Sequence, residues 1–68
     1  MDIKKVGKRI KLARIENDLN QTQLAQRINA KQKSISRYET SASLPSIETL
    51  MKIAKALKKP ASYFLDEV

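Results

Sequence analysis

Residues 20–39 constrain the fold of this chain most: Asn-Gln-Thr-Gln-Leu-Ala-Gln-Arg-Ile-Asn-Ala-Lys-Gln-Lys-Ser-Ile-Ser-Arg-Tyr-Glu. They hold two short helical patterns separated by a tight polar turn. Asn20 is a good N-cap, and Gln23 three residues on completes an Asn version of the capping box. Leu19, just before the cap, is placed to staple onto Leu24. Leu24, Ala25 and Ile28 give this helix a buried face. Asn29 follows where a left-handed residue would end the helix, a conformation Asn tolerates better than most non-Gly residues. The next helix runs from Gln32 to Tyr38 or Glu39, with Ile35 as its main apolar anchor. So little apolar surface cannot make a core helix, so one side must face water or a partner.

The rest of the chain also reads as helix. It has a single Gly and no β-branched run, and its apolar residues recur at steps of three and four. A first helix is expected over residues 2–17, with Ile3, Val6, Ile10 and Ala13 on one stripe. Lys4, Lys5, Lys8, Arg9 and Lys11 surround that stripe. Gly7 in its middle costs about 1 kcal/mol against Ala; a close helix contact and simple tolerance both account for it. Thr40 to Pro45 is a loop. Ser46 caps a fourth helix, with Glu48 in its first turn and Ile47, Leu50, Met51, Ala54 and Leu57 as its apolar face. Lys52, Lys55, Lys58 and Lys59 crowd its outside and its C-terminal end. Pro60 opens a short fifth helix as its first residue, with Tyr63, Phe64 and Leu65 as its bulk. No repeat, low-complexity segment or linker interrupts the 68 residues, which suit one all-α domain with a marginal core.

Composition narrows the function. Without Cys or His there is no disulfide framework and no zinc site of the usual ligand types. No cofactor is expected, and disulfide-free chemistry suits the cytoplasm. The N-terminus has basic residues but no apolar run after them, so no signal peptide is read there, and no membrane span is present. Scattered acids, serines without a base and a single Gly leave no enzyme site legible. Fourteen Lys and Arg against seven Asp and Glu give a net charge of +7. That excess calls for a polyanion: nucleic acid first, an anionic membrane second. The membrane reading is the weaker, because the apolar residues suffice for a core and no basic helix face carries aromatic anchors. A small basic bihelical unit is what a major-groove reader needs.

Gly7-Lys8-Arg9-Ile10, Arg14, Leu19-Asn20-Gln21, Leu24-Ala25, Ile35-Ser36, Glu39, Pro45 and Leu57 together resemble the phage repressor and Cro type of helix-turn-helix domain over residues 6–65. Combined spacing carries the likeness, since no single residue is diagnostic. The resemblance implies a compact five-helix, lambda-repressor-like domain in which helices two and three form the motif and the third enters the major groove. It implies that Gln21 contacts the DNA backbone and supports the recognition helix, with Asn20 as a neighbouring phosphate-contacting cap. Lys31 matches the cap of the recognition helix, also at the backbone. Gln32, Lys33, Ser36 and Arg37 match positions facing base edges or nearby phosphates. Arg14 and Glu39 match a pair joining the first helix to the end of the third. The sequence departs from the family at Asn29 and Ser41, where Gly is usual, and at Lys59, where an apolar residue is preferred. The loop from Thr40 to Ser46 has no basic residue, so its backbone contacts would rest on main-chain N–H groups, Ser41 and Ser43.

Side-chain chemistry supports these assignments. Gln suits adenine N6 and N7, and Lys or Arg suits guanine O6 and N7. Gln32 and Lys33 lie at the start of their helix, where reach into the groove is deepest. Taken alone, each polar residue would be a solvated helix face; the turn, the charge and the spacing reverse that for Gln32 and Lys33. For Arg37 the solvated face and the DNA contact stay close to even, and it could reach a base or a phosphate. The expectation is a double-stranded DNA-binding transcriptional regulator, a repressor that binds an inverted repeat as a homodimer. Leu44, Tyr63, Phe64 and Leu65 are the interface candidates, with core closure the weightier reading for Phe64 and Leu65. The alternative is a protein-interaction adaptor or antitoxin-like module on the same fold.

Overall fold

A computed structural model describes residues 2–65, over which the chain forms five helices: α1 (Ile3–Glu16), α2 (Gln21–Arg27), α3 (Gln32–Glu39), α4 (Ile47–Ala56) and α5 (Ala61–Leu65). No strand occurs among the described residues, and none of their helices is long and apolar enough to cross a membrane. The Asp2 carboxylate caps α1, accepting from the Lys4 and Lys5 N–H groups at 2.9 and 3.3 Å. The capping box of α2 is complete. Asn20 Oδ1 accepts from Gln23 N–H at 2.7 Å, and Gln23 Oε1 accepts from Asn20 N–H at 2.9 Å. Ser46 Oγ accepts from Thr49 N–H at 3.1 Å to start α4. Pro60 stands one residue before α5 rather than inside it. Its carbonyl accepts the first bond, from Tyr63 N–H at 3.0 Å, which makes it the cap.

Four helices close in the same way. Asp18, Asn29, Ser41 and Lys58 all take positive φ, between 55° and 65°, just past the ends of α1, α2, α3 and α4. In each case the next residue's N–H reaches back to a carbonyl five residues earlier: Leu19 to Arg14, Ala30 to Ala25, Ala42 to Arg37 and Lys59 to Ala54. These are Schellman closures, which usually place Gly at the left-handed position. The sequence signals only the Asn29 example. Ser41 holds φ 65°, the conformation a glycine would take freely, so that replacement is absorbed as local strain.

The helices enclose one apolar cluster. Val6, Ile10 and Ala13 of α1, Leu24 and Ala25 of α2, Ile35 of α3, Leu50, Ile53 and Ala54 of α4, and Phe64 of α5 are all buried in it. Leu19, Ile28 and Leu57 complete it from the helix ends. The buried face of α4 differs from the expected one. Ile47 and Met51 are 55% and 59% exposed, and Ile53 takes the inner position. Leu50, Ile53, Ala54 and Leu57 make a tight three-and-four stripe, and Met51 sits about 100° off it. Ile47 occupies the first turn, ahead of the buried part of the helix. Ile3 is likewise exposed, at the start of α1.

At Gly7, α1 comes close to the end of α3. A Cβ at this position would lie 2.5 Å from the Tyr38 carbonyl oxygen, 3.0 Å from that of Glu39 and 3.1 Å from Ser41 Oγ. Close approach, not tolerance, explains the glycine. It lets α1 lie against the end of α3. Asn17 joins the ends of α1 and α4, its Nδ2 donating to the Ala13 and Leu57 carbonyls at 2.8 and 3.0 Å. Arg9 donates to the Tyr63 carbonyl and lies over the Tyr63 ring. Lys59 covers the same ring, its Nζ 4.7 Å from the ring centroid and 3.5 Å from Glu16 Oε2. A cation at that position is thus accommodated by an aromatic face and an acid.

Candidate nucleic-acid interface

The site is built on a buried ion pair. Arg14 of α1 grips Glu39, the last residue of α3, through two bonds: Nε to Oε2 at 2.6 Å and Nη2 to Oε1 at 3.1 Å. The side chains are 11% and 3% exposed, which makes the pair structural rather than solvated. Arg14 Nη1 also donates to the Leu19 carbonyl at 2.8 Å, fixing the approach to α2. This fork geometry is what Arg provides and Lys cannot.

Glu39 passes that order on. Its Oε1 accepts from Gln21 Nε2 at 3.1 Å, and Gln21 Oε1 accepts from Gln32 Nε2 at 2.6 Å. A chain of hydrogen bonds therefore runs from α1 through the end of α3 and the start of α2 to the first residue of α3. Each side chain in it limits the rotamers of the next. Gln32 itself is exposed and keeps its Oε1 and its second Nε2 hydrogen. One free acceptor beside one free donor is the pair that matches adenine N6 and N7.

The other expected residues divide by what they already hold. Lys33 is exposed, next to Gln32, and Ser36 is half-buried one turn on. Arg37 donates from Nε to Ser43 Oγ at 3.1 Å, which ties α3 to the following loop and leaves its terminal nitrogens uncommitted. Lys31 caps α3 with its main chain only, and its side chain is exposed. Asn20 has Oδ1 occupied by the capping box and Nδ2 remaining. The N–H groups of Gln21 and Thr22 precede the first intrahelical bond of α2 and carry its positive end.

The loop differs from expectation. The N–H groups of Ser41, Ala42 and Ser43 all donate to carbonyls of α3, at 3.2, 2.9 and 3.2 Å. Ser41 Oγ donates to the Ile3 carbonyl at 3.3 Å. Helix closure thus engages the Ser41, Ala42 and Ser43 N–H groups that were expected to be open to phosphate, and Ser43 keeps its hydroxyl proton. Phe64 is fully buried in the core and presents no surface to a partner. Tyr63 is half-buried and lines an open groove with Arg9, Leu12, Pro60 and Leu65, and Leu44 is 44% exposed. Leu12, 48% exposed, escaped the sequence reading because it lies off the apolar stripe of α1.

A family model described as helix-turn-helix matches residues 10–64. The chain belongs to this helix-turn-helix family. Its all-α, five-helix fold is of the lambda-repressor type. Among solved structures it is similar to the P22 c2 repressor in complex with synthetic operator 9T, with TM-score 0.86, 28% identity, and 93% of this chain and 96% of that one covered. It is also similar to Bacillus thuringiensis PlcR in complex with the peptide PapR7 and DNA, with TM-score 0.85 and 36% identity. There the match covers 93% of this chain but 22% of the longer PlcR chain. The restriction-modification controller protein C.AhdI from Aeromonas hydrophila shares the fold, with TM-score 0.87 at 24% identity over 93% of this chain and 96% of that one. No curated protein matches the chain in sequence. In helix-turn-helix terms, α2 is the positioning helix and α3 the recognition helix. The protein is a regulator of the DNA-binding type and not an enzyme.

Proposed function

We propose that the 68-residue chain is a sequence-specific transcriptional repressor, acting in the cytoplasm, that binds an inverted-repeat operator as a homodimer. The observation that carries this reading is Gln32, oriented by the Arg14–Glu39–Gln21 chain with both its free groups turned to solvent beside the exposed Lys33. A merely solvated helix face has no need of a buried ion pair to orient one of its glutamines. α3 lies in the major groove, where Gln32 reads an adenine and Lys33 a guanine, with Ser36 and Arg37 further along. The start of α2, Asn20, Lys31 and the Ser43 hydroxyl meet phosphates, and Gln21 acts through Gln32. The net charge of +7 supplies long-range attraction.

Size supports the homodimer. The domain is 30 Å in its longest extent, and successive major-groove faces are about 34 Å apart, so one copy cannot read both. Tyr63, Pro60, Leu65 and Leu12 offer an apolar surface for the second copy, with Leu44 a separate candidate. Binding then represses by occluding promoter DNA. The repressor and DNA complexes among the structural neighbours support the same reading. Selection of binders from a random duplex library at two salt concentrations tests it. An enriched inverted repeat is the expected result. Binding that collapses with salt and enriches nothing would mean that charge alone drives it, and a protein-binding role would replace the operator.

A further inference from the structure

The end of α2 and the outer side of α4 bound an open groove that the DNA-reading residues do not use. Arg27 faces Lys52 and Lys55 across it, over a floor of Ile28 and Ala56. Among the described residues, no acidic one lines it. Arg27 and Lys55 are exposed, and Lys52 has Glu48 3.9 Å away on the same helix, with both side chains in solvent. Beside the groove, α4 carries two exposed apolar side chains. Met51 lies one turn before Lys55, and Ile47 one turn before Met51, which places the three on one line of the helix surface. These are the two most exposed large apolar side chains of the described residues, at 59% and 55%. A cationic cleft thus runs into an apolar strip.

We infer that this groove and strip are a docking surface for an acidic amphipathic polypeptide segment, whose carboxylates meet Arg27, Lys52 and Lys55 and whose apolar side chains cover Met51 and Ile47. Charge complementarity requires an anion. A phosphodiester backbone would answer the cations but gain nothing from Met51 and Ile47, which a protein segment buries. The groove lies at the far end of α2 from Asn20, about 10 Å along the helix by its seven residues. Docking there leaves the recognition helix uncovered, so a partner can be held while DNA is bound.

The test titrates the full chain, nitrogen-15 labelled, with a short synthetic helical peptide carrying glutamates on one face and leucines on the other. An oligoglutamate of equal charge and a duplex DNA are titrated in parallel. The amides of Ile28, Asn29, Met51 and Lys55 are expected to shift with the peptide, with or without duplex present. Affinity is expected to fall roughly tenfold in the double variant R27Q/K55Q, and to fall also in Met51→Ser, with unchanged helical circular dichroism in each. Equal binding of oligoglutamate would overturn the inference in favour of bare charge. Shifts at Gln32 and Lys33, or displacement by duplex, would reduce the peptide to a DNA mimic. Shifts of the groove amides with duplex alone would make the groove a DNA surface, and the same shifts on raising protein concentration would assign it to a second copy. An absence of binding overturns it outright.

Discussion

Replacing Glu39 with Leu tests the reasoning about the site at its root. Glu39 is 3% exposed and receives two bonds from Arg14 and one from Gln21. Removing one member of a buried pair leaves an uncompensated charge and costs about 3–5 kcal/mol. A domain of this length has a total stability of about 3–10 kcal/mol. Glu39→Leu is therefore expected to take the domain to the edge of unfolding at 25 °C. Arg14→Met should do nearly as much, because it strands the carboxylate. The double variant R14M/E39L removes both charges and should recover most of the loss. It remains about 1–2 kcal/mol below the parent, because the Leu19 carbonyl and the Gln21 amide each lose a partner. Urea unfolding followed by far-ultraviolet circular dichroism gives the four corners of the cycle. If the single losses simply add in the double variant, or if Glu39→Leu costs under about 1 kcal/mol, the two residues do not act as a unit and the positioning argument fails with them.

Gly7→Ala puts a methyl group 2.5 Å from the Tyr38 carbonyl oxygen, a backbone atom that cannot turn aside. Overpacking of about 1–3 kcal/mol, against a helix-propensity gain of about 1, should leave a net loss and lower Tm by several degrees; a raised Tm would show the α1–α3 contact to be soft. Lys58→Gly relieves a left-handed residue at φ 60° and should add about 0.5–1 kcal/mol, visible as a higher Tm with unchanged DNA affinity. Gln21→Ala releases Gln32 and should relax selectivity at the base Gln32 reads, whereas Lys31→Ala should weaken all duplexes alike. Binding titrations on single-base variants of the selected site separate the two, and identical profiles would remove Gln21 from any role in selectivity.

Much of this architecture was legible because it is written in local chemistry. Asn20 with Gln23, Ser46, and the Val6, Ile10 and Ala13 stripe of α1 act over one or two turns, where residue type and spacing decide the outcome. What escaped depends on contacts distant in sequence. Gly7 could be read as tolerance until Tyr38 and Glu39 were seen against it. Met51 and Ile47 are apolar at plausible spacing, and only the placement of the neighbouring helices shows that Ile53 is the inner residue. Closure by Ser41 and Lys58 was invisible because neither residue favours positive φ; tertiary packing and the back-bonded N–H groups hold them there. The occupied N–H groups of the loop after α3 follow from that closure. For the candidate site, residue types pointed to Gln32 and Lys33, but nothing in the sequence says that one is tethered and the other is not.

That difference bears on how the two should read DNA. Fixing a free, rotamer-rich side chain such as Lys costs up to about 2 kcal/mol of conformational entropy, and Gln starts from a similar freedom. In the folded protein the bond to Gln21 has already removed much of it from Gln32. Lys33 must lose its freedom on binding, and its ammonium group accepts many donor-to-acceptor geometries without penalty. The base opposite Gln32 should therefore be discriminated more sharply than the base opposite Lys33, although Lys33 brings the charge. A wrong base at the Gln32 position leaves both a donor and an acceptor of a fixed amide unpaired, worth about 1–3 kcal/mol, while Lys33 can turn to a phosphate. A single-base scan of the selected operator should show a steeper loss at the first position than at the second. An equal or reversed order would mean that the hydrogen-bond chain from Arg14 serves the fold alone.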